Sequence, residues 1–360
     1  MFGQHQAAQA PRFMLNWRRE PALSDLSVRR LLLGTLLLLL LSMLIGVPAV
    51  VSDVSVSDMA RIRGADVSAD VWLVEETPEY QLYSNGLRLE NAYLTTNTHR
   101  FYQVLDRQHG MQPSTTWSSQ PVGIIFHTTE SPAAPFTAAD NDALRRCSAG
   151  LLATVRNRQS YNFVVDRFGR VFRVVEELDA ANHAGNSVWA NGSHVWLNVN
   201  NSFLAIAFEA TTPAGGIAHF GAAQLHSGRL LTQLLRGRYG IAAENCVTHA
   251  QVSVNPDNMR IGYHTDGAAG FPFRELGLPN NYELPLPSLT EFGFEYDDTF
   301  RAAMGASTWN GIVESERLLE RAAAQTKLAA EEHRSRLRDR YRRLYAALKL
   351  TGAMDERAQP

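Results

Sequence analysis

The sequence contains little cysteine and no excess of either charge. Two cysteines among 360 residues, Cys147 and Cys246, cannot build a disulfide-rich scaffold, and no CxxC or Cys/His finger spacing is present. The 34 basic and 36 acidic side chains give a formal net charge of -2. We therefore expect no nucleic-acid partner, because such proteins carry a basic surface. Whether the cysteines pair stays open, although their apolar neighbours favour two buried free thiols.

Charge is absent altogether from residues 31–52, a leucine-rich run. As a helix it would span ~33 Å, about the thickness of a bilayer core. Residues 1–30 carry five arginines and two acidic residues. The positive-inside tendency thus predicts an uncleaved inner-membrane anchor with a cytoplasmic leader and a periplasmic or other extracytoplasmic remainder. A long signal peptide cleaved near Ser52, giving a secreted protein, is the alternative.

Composition divides the remaining chain into four segments. We expect a strand- and loop-rich segment at 53–120, a compact domain at 121–285, a linker at 286–310 and an amphipathic helix at 311–352.

The compact domain shows short apolar runs that alternate with helical spacing. The run 122–126 is typical of a buried strand, and Gly169 lies between two strand-like runs that predict a hairpin. Helical spacing covers 140–158 and 222–239. This alternation predicts an α/β fold with a mixed central β-sheet flanked by helices.

The carboxyl-terminal stretch from Glu314 to Leu350 contains neither glycine nor proline and places its apolar residues on one stripe. We expect this helix to pack on the domain or on a second copy, which makes oligomerisation through it an open prediction. Its many arginines leave contact with an anionic membrane or polymer surface as the alternative.

Three residues in the compact domain could ligate a metal. His127 and His249 each lie at the end of a strand-like run, and Asp266 follows His249 by 17 residues. Two neutral imidazoles and a carboxylate suit Zn²⁺ and leave a fourth tetrahedral position for water. Each histidine by itself also has an ordinary structural explanation.

Five short motifs occur in a specific order around these residues. They are Gly123–Thr129 (GIIFHTT), Ser160–Asp166 (SYNFVVD), Asn182–Gly185 (NHAG), Thr248–His249 and His264–Asp266 (HTD). In this order, residues 120–280 resemble the type-2 N-acetylmuramoyl-L-alanine amidases, the group that includes phage lysozyme-like amidases and peptidoglycan recognition proteins.

The resemblance implies roles for individual residues. His127, His249 and Asp266 match the family's zinc ligands. Tyr161 matches a tyrosine that in some members points its hydroxyl at the metal site, which implies a catalytic role as hydrogen-bond donor to the developing oxyanion. His264 stands where some members have a lysine, so it would stabilise charge or protonate the leaving amine.

The resemblance gives roles to three further residues, and one of them departs from the family pattern. Ala207 occupies the place of a glutamate that the cytosolic members use as general base, whereas Glu209 lies two residues later on the same strand face. We expect Glu209 to be catalytic or to support a zinc-bound histidine. His183 and Asn186 match a loop that borders the groove for the muramyl group and the stem peptide.

These observations predict a zinc-dependent N-acetylmuramoyl-L-alanine amidase that acts on peptidoglycan or muropeptides. The alternative is a recognition module that binds the same polymer without cutting it. A zinc protease is less favoured because no HExxH helix is present. A purely structural tether would explain the two ends of the chain but not the ordered motifs.

Overall fold

The computed structural model describes residues 70–132, 134–213, 216–305 and 307–350. The predicted leader 1–30 and the predicted anchor 31–52 lie outside these residues. In the described part of the chain, no helix combines the length and the apolarity needed to cross a bilayer.

Fourteen strands form three sheets within the described ranges. In chain order they are β1 (Leu73–Glu76), β2 (Tyr80–Tyr83), β3 (Arg88–Glu90), β4 (Leu105–Asp106), β5 (Gln112–Pro113), β6 (Gly123–Thr128), β7 (Phe163–Val165), β8 (Val171–Arg173), β9 (Val188–Ala190), β10 (His194–Leu197), β11 (Phe203–Phe208), β12 (Cys246–Thr248), β13 (Val254–Asn255) and β14 (Arg260–Ile261). The central sheet has the order β1-β2-β3-β8-β7-β11-β6-β12, with β5-β4-β10-β9 and β13-β14 as smaller sheets.

Seven α-helices surround these sheets in the described residues. They are α1 (Asn141–Arg158), α2 (Ala222–Tyr239), α3 (His249–Val252), α4 (Pro287–Thr290), α5 (Asp298–Met304), α6 (Asn310–Gln325) and α7 (Ala330–Leu350). The mixed central sheet flanked by helices confirms the predicted fold class. α2 has the predicted bounds and ends at Gly240, whose φ of +63° is the left-handed conformation that favours glycine at this position.

Within the central sheet, β6 and β11 are adjacent, parallel and buried along their whole length. Strands buried on both faces require continuous apolar sequence, as both strands have. At Gly123 a Cβ atom would lie 2.0 Å from the ring of Phe203, so only glycine fits where β6 begins. The order β7-β11-β6-β12 brings four parallel carboxyl ends to one edge.

The segment predicted at 53–120 joins the domain as far as the structure describes it. β2 and β3 form a hairpin, with Gly86 at a φ of +87° in its turn. β3 then pairs in parallel with β8 and extends the central sheet.

The prediction of a linker at 286–310 is wrong. This stretch contains α4 and α5, and it buries the rings of Phe292, Phe294 and Phe300 in the core. Burying such a ring contributes about 1.5–3 kcal/mol, which fixes the segment to the domain.

The prediction of one helix at 311–352 is also wrong, because α6 and α7 are separate helices. Lys327 takes a φ of +54° between them, and the Thr326 hydroxyl donates to the carbonyls of Ala322 and Ala323. The turn lets α7 fold back, where Arg334 pairs with Glu316 of α6 at 2.8 Å. α7 packs on the domain, as one of the two predicted arrangements required, through Leu337, Tyr341 and Leu348.

Neither cysteine forms a disulfide, and only Cys246 is fully buried, whereas Cys147 is half-buried.

Candidate metal centre and active site

The two candidate histidine ligands lie side by side at the carboxyl edge of the central sheet. Thr248 of β12 pairs with Phe126 of β6, so the next residues, His249 and His127, become neighbours. Their ring centroids are 4.6 Å apart. Open α/β sheets bind ligands beyond the carboxyl ends of their strands, which is where these rings lie.

Asp266 approaches the histidines from the loop after β14. Gly267 has a φ of +76°, and a Cβ atom there would lie 2.8 Å from the Cβ of Thr248. Glycine therefore permits both the backbone conformation and the close approach. The amide of Ala250 donates to the carbonyl of Asp266 at 3.2 Å and fixes the loop against α3.

The carboxylate of Asp266 joins the two imidazoles. Nδ1 of His127 donates to Oδ2 at 2.9 Å, and Nδ1 of His249 donates to Oδ1 at 2.8 Å. The ligand atoms of these three residues all lie within 4.8 Å of one another, and both histidines are buried. The structure thus brings together the three residues that the sequence separates by up to 139 positions.

Burial and hydrogen bonding together determine the charge of this cluster. Burial lowers the pKa of His127 to about 4, since a charged ring would lose its hydration there. Burial alone would raise the pKa of Asp266, but His249 and the hydrogen bonds from both rings outweigh it and hold this pKa below its usual range. At neutral pH the cluster therefore offers a neutral His127 ring beside an ionised carboxylate.

These donors fit a divalent cation. Both Nδ1 atoms are directed at one carboxylate, while Nε2 of His249 is buried and has no hydrogen-bond partner in the described residues. Two imidazole nitrogens and one carboxylate oxygen are a common protein ligand set for Zn²⁺ with an open fourth position. His127, His249 and Asp266 are the residues that would hold such an ion.

Three further predicted site residues surround the cluster. Nδ1 of His183 lies 3.1 Å from Nε2 of His127, on the side of that ring opposite Asp266. The Tyr161 ring lies beside His127 with a centroid distance of 5.0 Å, and the His264 ring stacks on His249 at 4.6 Å. Burial raises the pKa of Tyr161 and lowers the pKa of His264, so both side chains favour their neutral forms.

Two adjoining cavities open beside the cluster. One of about 400 Å³ is lined by Asp266, Glu130 and Thr212, among others. The other, of about 190 Å³, is lined by Asn186 and Asp257, among others. Tyr263 and His264 line both cavities and so stand between them. We refer to these two cavities, which share the side chains of Tyr263 and His264, as the groove.

Glu209 does not join the cluster. Its Oε2 accepts hydrogen bonds from the Ser148 hydroxyl at 2.6 Å and from the Arg167 amide at 3.1 Å. The side chain is buried against α1, and no described hydrogen bond or ion pair connects it with His127, His249 or Asp266. Although Ala207 and Glu209 alternate correctly for one strand face, β11 ends at Phe208, so the strand alternation stops before Glu209. The structure therefore gives no contact through which the predicted catalytic role of Glu209 would act.

Sequence reasoning missed two residues that line the groove and one that contacts a lining residue. Glu130 and Tyr263 line it, and Tyr345 of α7 donates a hydrogen bond to the side chain of Asn186. Glu130 lies three residues after His127, and Tyr263 directly precedes His264, so proximity to motif residues was an available signal for both. Tyr345 has no such signal, because only the folding of α7 onto the domain brings it there.

The family comparison agrees with this geometry. Residues 117–266 match the sequence model of the family described as N-acetylmuramoyl-L-alanine amidase. This segment belongs to that family. The match ends at Asp266, the third residue of the cluster, so the helices α4 to α7 lie outside the matched segment. No curated protein matches the chain.

Among solved structures, this chain is similar to two complexes with muramic-acid peptides. The complex of AmiD from E. coli with anhydro-N-acetylmuramic acid-L-Ala-D-gamma-Glu-L-Lys is 23% identical, over 46% of this chain and 59% of that one, with a TM-score of 0.33. AmpDh3 from Pseudomonas aeruginosa in complex with anhydromuramic pentapeptide is 20% identical, over 46% of this chain and 62% of that one, with a TM-score of 0.31. This chain spans less than two thirds of the length of either enzyme.

Proposed function

We propose that the protein is a zinc-dependent N-acetylmuramoyl-L-alanine amidase that hydrolyses the amide between N-acetylmuramic acid and L-Ala of peptidoglycan. The observation that carries this proposal is the convergence of His127, His249 and Asp266 beside an open groove. Membership of residues 117–266 in the amidase family supports it.

The bound ion would supply Lewis-acid chemistry, because it polarises a carbonyl and makes water acidic enough to attack at neutral pH. The chain itself supplies orientation. Asp266 receives hydrogen bonds from both histidine rings, so the three candidate ligands are in place before any substrate arrives.

Tyr161 and His264 would act on the charge that develops during hydrolysis. Because burial raises the pKa of Tyr161, its hydroxyl stays protonated and can donate a hydrogen bond to the developing oxyanion. Because burial lowers the pKa of His264, its ring is mainly neutral at pH 7 and serves as a hydrogen-bond donor rather than as a fixed cation. To protonate the departing amine, the ring would first take up the proton that the attacking water loses and would then pass it on.

The experiment is release of stem peptides from purified sacculi by the purified chain. We expect release that stops on chelation, returns with Zn²⁺ and is absent in His127→Ala. The matched control is His109→Ala, since His109 is an exposed histidine paired with Asp106. Binding of sacculi without any released peptide would favour the alternative, a non-catalytic recognition module.

We also propose that the chain acts on the outer side of the membrane, tethered through residues 31–52. The support is the uncharged run with its arginine-rich leader. Fractionation of cells should leave the intact chain in the membrane pellet. A soluble form that begins near residue 53 would instead indicate cleavage and secretion.

A further inference from the structure

One residue from outside the matched family segment reaches the groove. The hydroxyl of Tyr345, on α7, donates a hydrogen bond to Oδ1 of Asn186 at 3.0 Å. Asn186 lines the cavity of about 190 Å³ that also contains His264. α7 thus contacts the wall of the groove, although Tyr345 and Asn186 are 159 positions apart in the sequence.

The backbone of the loop that carries Asn186 is fixed without α7. The amides of His183 and Ala184 both donate to Oδ1 of Asn200, at 3.1 and 2.7 Å. The carbonyl of Asn186 accepts from the amide of Val254 at 3.0 Å. Tyr345 is therefore not needed to hold the path of this loop.

The orientation of the Asn186 side chain, unlike the path of the loop backbone, depends on the contact with α7. The terminal torsion of asparagine is broad and has no strong preference of its own, so a hydrogen bond decides which end of the amide faces which way. With Oδ1 engaged by Tyr345, the NH₂ end is left with two donors, and no described hydrogen bond uses them. Those donors are available to a ligand in the cavity.

We infer that Tyr345 is a positioning residue that makes Asn186 a hydrogen-bond donor to an uncharged carbonyl oxygen of the substrate. Asp257, an exposed carboxylate, lines the same cavity and disfavours a negatively charged group there. The chemical class that fits is an amide carbonyl, from an acetamido group of the glycan or from the peptide. This inference rests on the proposed function.

The test compares three variants of the full chain. Tyr345→Phe removes the orienting bond, and we expect KM for muropeptide to rise about 2- to 10-fold with kcat nearly unchanged, the range expected for one net hydrogen bond. Asn186→Asp still accepts from Tyr345 but presents an oxygen to the carbonyl, so KM should rise further than in Tyr345→Phe. Tyr341→Phe is the matched control, because Tyr341 lies one turn earlier on α7 and packs through its ring against Phe292 and Phe294.

Equilibrium binding supplies a second measurement that does not depend on turnover. Muropeptides with acetylated and with deacetylated amino sugars are titrated into each variant. If the acetamido carbonyl is the acceptor, Asn186→Asp loses affinity only for the acetylated form; if a peptide carbonyl is the acceptor, it loses affinity for both. Either result supports the inference.

The results that overturn the inference are separable from failure of the proposed function. Unchanged KM and affinity in Tyr345→Phe and Asn186→Asp, with an active wild-type chain, overturn the inference alone. A wild-type chain that neither binds nor cleaves muropeptides overturns both. Thermal unfolding of Tyr345→Phe and Tyr341→Phe at similar temperatures would exclude a general effect of α7 on stability.

Discussion

Nε2 of His127 and Nδ1 of His183 lie 3.1 Å apart, and both rings are buried. Nδ1 of His127 faces Asp266, so the two nitrogens of this ring have different partners: Asp266 at Nδ1 and His183 at Nε2. If Nδ1 binds an ion and loses its proton, Nε2 would carry the ring proton and could donate it to His183. Such a partner fixes the tautomer and the orientation of a metal-binding imidazole.

We therefore expect His183→Ala to weaken Zn²⁺ affinity about 10- to 100-fold, as for other outer partners of ligating histidines. Competition with a chromophoric chelator measures this affinity directly. His109→Ala, at an exposed site, should bind the ion like the wild-type chain. Equal affinity in His183→Ala and wild type would show that the His127 ring does not depend on this contact.

Glu209→Gln should change stability in a pH-dependent way. Burial raises the pKa of Glu209, so the folded chain binds a proton more tightly there than the unfolded chain does. The stabilising effect of that proton is present at low pH and is lost as pH rises above about 4.5. Glutamine keeps an acceptor for Ser148 and Arg167 without the buried charge. The variant should therefore be more stable than wild type at pH 7, and this difference in stability should be smaller near pH 4.

Thermal unfolding between pH 4 and 8 measures this difference. The same variant also tests the predicted catalytic role of Glu209, because no hydrogen bond or ion pair among the described residues connects its side chain with the metal cluster. We expect kcat within about twofold of wild type, whereas loss of an acid–base group costs about 10²-fold or more. A loss of that size would restore Glu209 to the catalytic set.

Two helical glycines should respond to alanine with opposite signs. Gly150 in α1 has open space where a Cβ atom would lie, so Gly150→Ala should stabilise the fold by about 0.5–1 kcal/mol through helix propensity. At Gly311 in α6 a Cβ atom would lie 1.9 Å from the carbonyl oxygen of Leu284. Gly311→Ala should therefore destabilise the chain by about 1–3 kcal/mol, as overpacking does.

Chemical denaturation of both variants gives the comparison. Gly311→Ala should unfold at lower denaturant concentration than wild type, and Gly150→Ala at higher. Equal midpoints would mean that α6 does not approach the Leu284 carbonyl so closely.

Glu130 should contribute to turnover. It has a φ of +49°, and its Oε2 accepts from the Thr212 amide at 2.9 Å, so its carboxylate is held at the groove wall despite a strained backbone. Besides Asp266, it supplies the other carboxylate among the residues that line this cavity. We expect Glu130→Gln to lower kcat about tenfold or more, because a groove carboxylate can accept a proton from the attacking water.

Steady-state hydrolysis of a soluble muropeptide measures this effect. Thr212→Val is the matched control, since it removes one hydroxyl contact to Glu130 and leaves the carboxylate in place. A Glu130→Gln variant as active as Thr212→Val would assign Glu130 a purely structural role at the groove wall.

The central strands and the main helices were predictable because their signals are local. A run such as 123–128 is apolar throughout because both faces of β6 are covered, and α2 ends at Gly240 because its last turn requires a left-handed residue. The prediction of a linker at 286–310 was wrong because the structure of this stretch has no local signal in the sequence. Its short helices and buried rings are stabilised by packing against distant parts of the chain, which no local pattern shows.

The sequence by itself determined the residue types that chemistry needs, namely two histidines and an aspartate within ordered motifs, and the strands that carry them. Only the tertiary structure decided that these three side chains meet, that Glu209 accepts a hydrogen bond from Ser148 and does not join them, and that Tyr345 reaches Asn186. The physical reason is that strand and helix patterns report on neighbours a few residues away. The direction of a side chain after a strand ends, and the surface on which a distant helix packs, depend on the free energy of the whole assembled core.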